Sequence, residues 1–282
     1  MIALVTDSTA YLTRQEARDG GFTMVPMTYT VDDRIYHETY ADINGDYEKL
    51  IQSGKSHRTS QPNMAAFLSA FEELVEKGYE VVCLTISSRL SGTYSSASLA
   101  AKQIDGEHIH IVDSLSAAGG MHILLRYAKK LVDSGLPAKE VAQELRTMRE
   151  RIGIGFSVSD MGPLRRSGRL GVVRQSVGTI LNVKPILSCV EGGVVSNGVA
   201  RGRNEQLKRL MDMIPENAKD VIVHHIGNEE AAQRLARQLR QRFPHLPVPI
   251  RVAGPVLCIH LGVGVISAVW EEADAEDRGS SL

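Results

Sequence analysis

Short apolar runs and longer amphipathic stretches alternate along this chain, and each rhythm predicts its own element. Residues 2–5, 22–27, 81–86 and 108–113 have the length and character of strands, and residues 28–36 form a further extended piece with a turn at Asp32 and Asp33. Helical spacing is weak over 46–51 and strongest over Met64, Phe67, Leu68, Phe71, Leu74 and Val75. It recurs over Ala97, Ala100, Ala101 and Ile104, over Met121, Leu124, Leu125, Ala128, Leu131 and Val132, and over Val141, Leu145, Met148 and Ile152. Strands alternating with helices predict a mainly parallel sheet covered by helices.

After residue 150 the rhythm changes. Strand signals fall at 152–158, 184–190, 194–199, 221–226, 250–256 and 263–270, with helical stripes over Leu207, Leu210, Met211 and Ile214 and over Ala232, Leu235, Ala236, Leu239 and Phe243. Glu191, Gly192 and Gly193 join two of these strands as a hairpin, which belongs to a mixed or antiparallel sheet. The expected fold is therefore α/β with two domains. Residues 1–150 form a three-layer domain with a mainly parallel sheet, and residues 151–282 a two-layer domain with a mixed sheet of about six strands, ending in a mobile acidic tail after about 271.

Composition narrows the setting. A chain of 282 residues, 43% hydrophobic and 23% charged, is that of a folded soluble protein. Nothing approaches the run of about 20 apolar residues that a membrane helix needs, and the opening residues lack a signal-peptide pattern, so a cytoplasmic protein is expected. Cys83, Cys189 and Cys258 are far apart in apolar surroundings and read as reduced core residues. A net charge of −1 gives no general reason to expect nucleic acid as a partner. A DNA-binding reading would rest on the basic segment Arg165, Arg166, Arg169 and Arg174 alone.

Candidate chemistry concentrates after the 81–86 strand. Ser87, Ser88, Ser91, Thr93, Ser95 and Ser96 surround Gly92 where a helix is expected to begin, with Ser91 as its N-cap. A hydroxyl, a flexible glycine and the unpaired N–H groups of a first helical turn favour a negatively charged group. Most serines at helix starts only cap; the density of hydroxyls and the position after a strand's carboxyl end favour an anion seat here. Thr59, Ser60, Gln61, Pro62 and Asn63 precede the strongest amphipathic helix and read as a second hydroxyl-bearing helix start, with Pro62 just inside it. If both helices follow parallel strands, the two starts lie on one sheet edge. Thr6, Asp7, Ser8 and Thr9 offer a further edge of the same kind.

Other motifs fall away. Gly54-Lys55-Ser56 lacks the first glycine of a P-loop, Gly153 and Gly155 lack the third glycine of a dinucleotide fingerprint, and His37-Glu38 lacks the second histidine of a zinc protease. His108, His110, His224 and His225 read as strand residues without ligand spacing, so neither a metal nor a cofactor is expected. His260 stands between two readings. A histidine beside an apolar strand is most simply a core residue, yet Gly254, Gly262 and Gly264 around it suit a pocket wall.

Taken in order, Asp7-Ser8-Thr9, TSQP at Thr59 to Pro62, SSRLSGTY at Ser87 to Tyr94, Val112-Asp113-Ser114, KPIL at Lys184 to Leu187 and His260 with Gly262 resemble the DegV family of bacterial fatty-acid-binding proteins. The resemblance covers nearly the whole chain. It implies two α/β domains with a long-chain fatty acid buried between them, in a protein that is not itself an enzyme. Such a protein is the carrier subunit for a separate ATP-dependent fatty acid kinase, which phosphorylates the bound carboxylate for phospholipid synthesis. By motif matching, Thr59, Ser91 and His260 would bind the carboxylate, supported by Ser60, Gly92 and Thr93, while Arg165, Arg166 and Arg169 would face the kinase or form an ordinary solvated turn. Peripheral membrane contact for lipid exchange would fit such a carrier. The chain departs from the family pattern twice: Arg166-Ser167-Gly168-Arg169 replaces a lysine-glycine-glycine-arginine segment, and Leu261-Gly262-Val263-Gly264 replaces threonine-glycine-proline-glycine.

A competing expectation is a lipid-active serine hydrolase using Ser91, an aspartate such as Asp160 or Asp220, and His260. Their order fits that class. Ser91 lies in Arg-Leu-Ser-Gly-Thr rather than in the GxSxG elbow such enzymes need.

Overall fold

The computed structural model describes residues 1–104, 106–170 and 183–274. It divides into two compact units, Met1–Glu150 with Gly254–Ile259, and Arg151–Ala253 with the chain from His260 onward.

In the first unit the elements run β1 (Ile2–Asp7), α1 (Arg14–Gly20), β2 (Phe22–Val25), β3 (Met27–Val31), β4 (Arg34–Glu38), α2 (Tyr47–Ser53), β5 (His57–Ser60), α3 (Met64–Glu76), β6 (Glu80–Thr85), α4 (Thr93–Ile104), β7 (Ile109–Asp113), α5 (Gly119–Asp133) and α6 (Ala138–Met148). Four strands form a parallel sheet in the order β2-β1-β6-β7. Strand alternation sends Val5, Val81 and Cys83 to one face, where they cluster with Phe67 and Phe71 of α3 and Ala97, Ala100 and Ala101 of α4. Small residues on α4 let that helix lie close to the sheet. Phe67 and Phe71 are fully buried, each worth roughly 1.5–3 kcal/mol relative to exposure. Val82 and Leu84 have the opposite parity and serve the face where α5 and α6 pack against β6. The result is three layers, helices on both faces of a parallel sheet.

Beside this lies a three-stranded antiparallel sheet in the order β4-β3-β5. Asp32 and Asp33, both with positive φ, make the turn between β3 and β4. This sheet corrects one expectation. Thr59 and Ser60 are the last residues of β5, paired to Tyr29 and Thr28, and not the start of a helix. The N-cap of α3 is Asn63, whose side chain accepts the Ala66 amide at 2.9 Å, and Pro62 lies ahead of it.

The second unit contains β8 (Ile152–Ser157), α7 (Gly162–Arg166), β9 (Val183–Val190), β10 (Gly193–Arg201), α8 (Gly202–Asp212), β11 (Ala218–Ile226), α9 (Glu229–Arg242) and β12 (Ile250–Val252). After α10 (Pro255–Leu261) comes the last strand, β13 (Val265–Glu272). Six strands form a mixed sheet in the order β10-β9-β8-β13-β11-β12. Glu191 and Gly192 both adopt left-handed backbone, as a tight hairpin between β9 and β10 requires. Leu207 and Leu210 of α8 and Leu235 and Leu239 of α9 pack with Val221, Val223, Ala268 and Trp270. Gly153 is needed for that packing, since a Cβ there would meet the Trp270 indole at 2.1 Å.

Two further expectations are corrected here. Residues 253–256 do not continue a strand: β12 ends at Val252, and α10 follows with His260 in its last turn. The tail expected after about 271 does not begin there, because Glu271 and Glu272 belong to β13 and Asp274 is ion-paired with Arg151. Glu276 and Asp277 lie outside the described residues.

What fastens Gly254–Ile259 to the first unit is a buried carboxyl. Glu38 is the one fully buried residue of β4; its Oε1 accepts from the Ser8 hydroxyl at 2.9 Å and its Oε2 accepts the Val256 amide at 2.8 Å. The Leu257 amide donates to the Tyr11 hydroxyl at 3.4 Å. Gly254 lies so close that a Cβ would stand 2.5 Å from the Tyr11 ring and 2.7 Å from the Glu38 carboxyl. Burial pushes the Glu38 carboxyl up to about 8 from 4.5, against the lowering effect of its hydrogen bonds from Val256 and Ser8. The folded protein therefore holds a proton that the unfolded chain releases between those values, and stability falls as pH rises through that window. Urea midpoints are expected to decline from about pH 5 to about pH 8, and Glu38→Gln to flatten that decline. Equal slopes for the two proteins would contradict this account of Glu38.

Candidate functional site

The order β2-β1-β6-β7 makes the carboxyl ends of β1 and β6 a topological switch point, because the chain leaves β1 toward β2 and leaves β6 toward β7. Ligands of open parallel sheets bind at such a point. Two loops meet there. Asp7, at the end of β1, accepts the Ile86 amide at 2.8 Å, and the Ser87 amide donates to the Ser116 carbonyl at 2.9 Å. Asp113, at the end of β7, accepts the Ser88 and Leu115 amides at 3.1 and 3.0 Å. The Leu90 and Ser91 amides both return to the Ser87 carbonyl, at 3.0 and 3.1 Å. The loop carrying Ser91 is therefore braced from β1, from β7 and by its own first residue.

At its end the loop departs from the expected cap. Helix α4 begins at Thr93, and the Ser96 amide donates to the Gly92 carbonyl at 3.0 Å, so Gly92 holds the position expected for Ser91. The Ser91 hydroxyl lies 2.8 Å from the Thr93 hydroxyl and accepts a long contact from the Thr93 amide at 3.4 Å. Thr93 is fully buried, while Ser91 and Gly92 are partly exposed. A half-exposed hydroxyl, a glycine and the open first turn of a helix remain together, shifted by one residue.

Thr59 and Ser60 reach this neighbourhood by a different route from the one expected. Their strand is antiparallel and belongs to the second sheet, so a shared parallel edge is not the reason. Gln61 is the link: its amide nitrogen donates to the Ser96 hydroxyl at 3.1 Å, and its Oε1 would stand 2.3 Å from a Cβ at Gly92. Gln61, inside the TSQP motif, is not among the residues expected to bind the carboxylate. Thr59 is partly buried and Ser60 exposed.

Residues 6–9 do not form an anion-facing edge. All four are fully buried and the Asp7 carboxyl turns inward, accepting from Thr9 and Ile86, which puts negative charge where an anion would need donors. Burial raises the Asp7 carboxyl above its ordinary range, partly offset by those bonds.

His260 is half-buried at the end of α10, and burial, with the Arg169 guanidinium second, lowers its imidazole to about 4. It is neutral near pH 7. Gly262 and Gly264 have φ of 80° and 92°; a Cβ on the second would meet the Ser159 hydroxyl at 2.2 Å. Those two glycines are common to this chain and the family pattern, so the altered residues Leu261 and Val263 leave the strained positions unchanged. Arg165, Arg166 and Arg169 are exposed on and after the short helix α7, where Gly168 takes left-handed backbone. Arg174 lies outside the described residues.

The hydrolase expectation gains no support. Among the described residues the Ser91 hydroxyl is engaged with Thr93, with no imidazole as its partner, and Asp160 accepts the Gly162 amide at 2.9 Å. No group of three or more His, Cys, Asp or Glu is placed to hold a metal ion, and no helix is long and apolar enough to cross a membrane, both among the described residues.

Known proteins are similar to this chain in sequence and fold. A family profile described as "Uncharacterised protein, DegV family" matches residues 1–273. A DegV domain-containing protein of Halalkalibacterium halodurans is 34% identical over 276 residues, covering 95% of this chain and 98% of that protein. A DegV family protein of Thermus thermophilus, described as binding fatty acid, is 29% identical with a TM-score of 0.85, covering 96% of this chain and 99% of that one. A DegV lipid-binding protein of Thermotoga maritima is 27% identical with a TM-score of 0.87, covering 97% and 99%. The chain belongs to the DegV family.

Proposed function

We propose that this protein binds a long-chain fatty acid, with the carboxylate taken by Ser91 and Thr59 and with His260 as a further polar contact. The observation that carries the reading is the turn Ser91-Gly92-Thr93, which opens α4 at the switch point of the parallel sheet with Gln61 of the TSQP segment against it. Gly92 admits close approach, Thr93 orients the Ser91 hydroxyl, and Ser60 extends the polar rim of β5. Fatty-acid binding by the Thermus thermophilus relative supports the choice of ligand. Burying an acyl chain contributes about 0.8 kcal/mol per methylene, while the carboxylate needs donors to offset its lost hydration. Hydroxyls, helix N–H groups and a neutral imidazole supply them without a salt bridge.

That neutrality suits a carrier whose cargo must react. In the reading implied by the family resemblance, a separate ATP-dependent kinase transfers the terminal phosphoryl group to the bound carboxylate. A carboxylate oxygen forms the new P–O bond, the bond to the departing ADP breaks, and an acyl phosphate results. An arginine clamp on the carboxylate would compete for the lone pairs that attack. Arg165, Arg166 and Arg169 stand exposed instead, and their charge suits a kinase or the phosphates it carries.

Loss of a hydrogen-bond donor to a charged group costs about 1.5–3 kcal/mol, so Ser91→Ala and Thr59→Ala should each weaken oleate binding by roughly tenfold or more. Binding within about twofold of the parent for both variants would sink the assignment. Arg165→Glu with Arg166→Glu should leave oleate affinity within about twofold while lowering acyl phosphate formation with the partner kinase; unchanged formation would remove the kinase-facing role.

A further inference from the structure

Glu38 is an expensive residue where it stands. The other residues of β4 are exposed or partly buried, and its last position is filled by a fully buried carboxyl that a leucine would fill without desolvation cost. Among the described residues its contacts are the Ser8 hydroxyl, the Val256 amide and the Tyr11 hydroxyl, with no cation paired to it. A buried acid without a cation needs a reason beyond packing.

The Val256 bond supplies one. Helix α10 has only seven residues, too few to be stable by propensity, and its leading N–H groups have no intrahelical acceptors. Glu38 takes the Val256 amide at 2.8 Å and Tyr11 the Leu257 amide at 3.4 Å, so both anchors of the first turn come from far away in sequence. Residues four apart on a helix lie above one another, and the residue four beyond Val256 is His260. Ser8, which Glu38 contacts, follows Asp7, which in turn holds Ile86 at the root of the Ser87–Ser91 loop. Two adjacent residues at the end of β1 therefore brace the loop of Ser91 and, through Glu38, the helix of His260.

We propose that Glu38 is a positioning residue for ligand binding: by accepting the Val256 amide it fixes the first turn of α10 and so sets the place of His260. The inference rests on the reading of His260 as a contact to the fatty-acid carboxylate, and it adds a residue that touches no ligand itself.

The test uses the full chain with oleate as probe, in four variants and one double variant. Glu38→Gln keeps a carbonyl acceptor for Val256 and turns an amide toward Ser8, whose hydroxyl can accept from it, whereas Glu38→Ala removes both partners and Glu38→Asp withdraws the carboxyl by one methylene. Amide exchange at Val256 and Leu257 should quicken about tenfold or more in the Ala and Asp variants, and oleate affinity should fall about tenfold, with the Gln variant within about twofold of the parent in both. In a His260→Ala background, Glu38→Ala should cost less than about twofold in affinity, since the residue it acts through is gone. The His260 ring, followed by proton NMR, should titrate higher in Glu38→Ala and Glu38→Asp but not in Glu38→Gln. Should Glu38→Ala not fold, Glu38→Asp carries the same comparisons. Unchanged exchange and ring titration in the Asp variant would overturn the proposal. So would an equal affinity loss with and without His260. If the parent bound no oleate, the fatty-acid reading would fail on that result alone, and exchange with ring titration would still decide whether Glu38 holds α10.

Discussion

Two carboxyl groups buried at the carboxyl end of β1 are the constraint on which the rest of the first unit depends. Asp7 ties the end of β1 to the start of the loop after β6, and Glu38, through Ser8, ties the same strand end to α10. Among the described residues neither is paired with a cation; backbone amides and hydroxyls hold both, and burial raises both above the ordinary carboxyl range. Carboxyls held in this way are rigid directional acceptors. A parallel sheet leaves its carboxyl-edge loops without neighbours of their own, and these acids supply them.

The seat that those braces hold up is polar and uncharged. Ser91, Gly92 and the open first turn of α4 offer donors; in the second unit, burial and then the charge of Arg169 keep the His260 imidazole neutral. The buried acids Asp7 and Glu38, the second of them protonated near neutral pH, make no contact with Ser91 among the described residues. Arg165 and Arg166 of α7 and Arg169 after it are exposed in the second unit. Under the proposed function, such a seat would hold a carboxylate through hydrogen bonds and leave its oxygens free to attack a phosphate.

Much of this was legible in the sequence because it is local. The α3 stripe, the strand at 81–86, the turn at Asp32 and Asp33 and the hairpin at Glu191 and Gly192 are each decided by neighbours a few residues apart. The misreadings share a cause. Residues 57–60, His-Arg-Thr-Ser, carry no apolar alternation because β5 is a polar edge strand, so its existence shows only in its pairing with β3. Residues 255–261 form an apolar run too short for periodicity to separate strand from helix; Pro255 at the first helical position was the available signal. Ser91 and Gly92 differ by one place along the chain, and boundary reading does not reach that precision. Glu38 could not be found at all, because Val256 is 218 residues away and nothing in Arg-Ile-Tyr-His-Glu announces a buried acid.

The account stands most directly on what the protein carries when it is isolated. Mass spectrometry of the purified protein, first native and then denatured and extracted with solvent, reads this without any assumption about the site. The account predicts a mass difference in the native spectrum equal to one long-chain fatty acid, recovered in stoichiometric amount in the extract. A protein that arrives empty and also takes up no added fatty acid would contradict it, leaving the fold in place and the seat at Ser91 without its ligand.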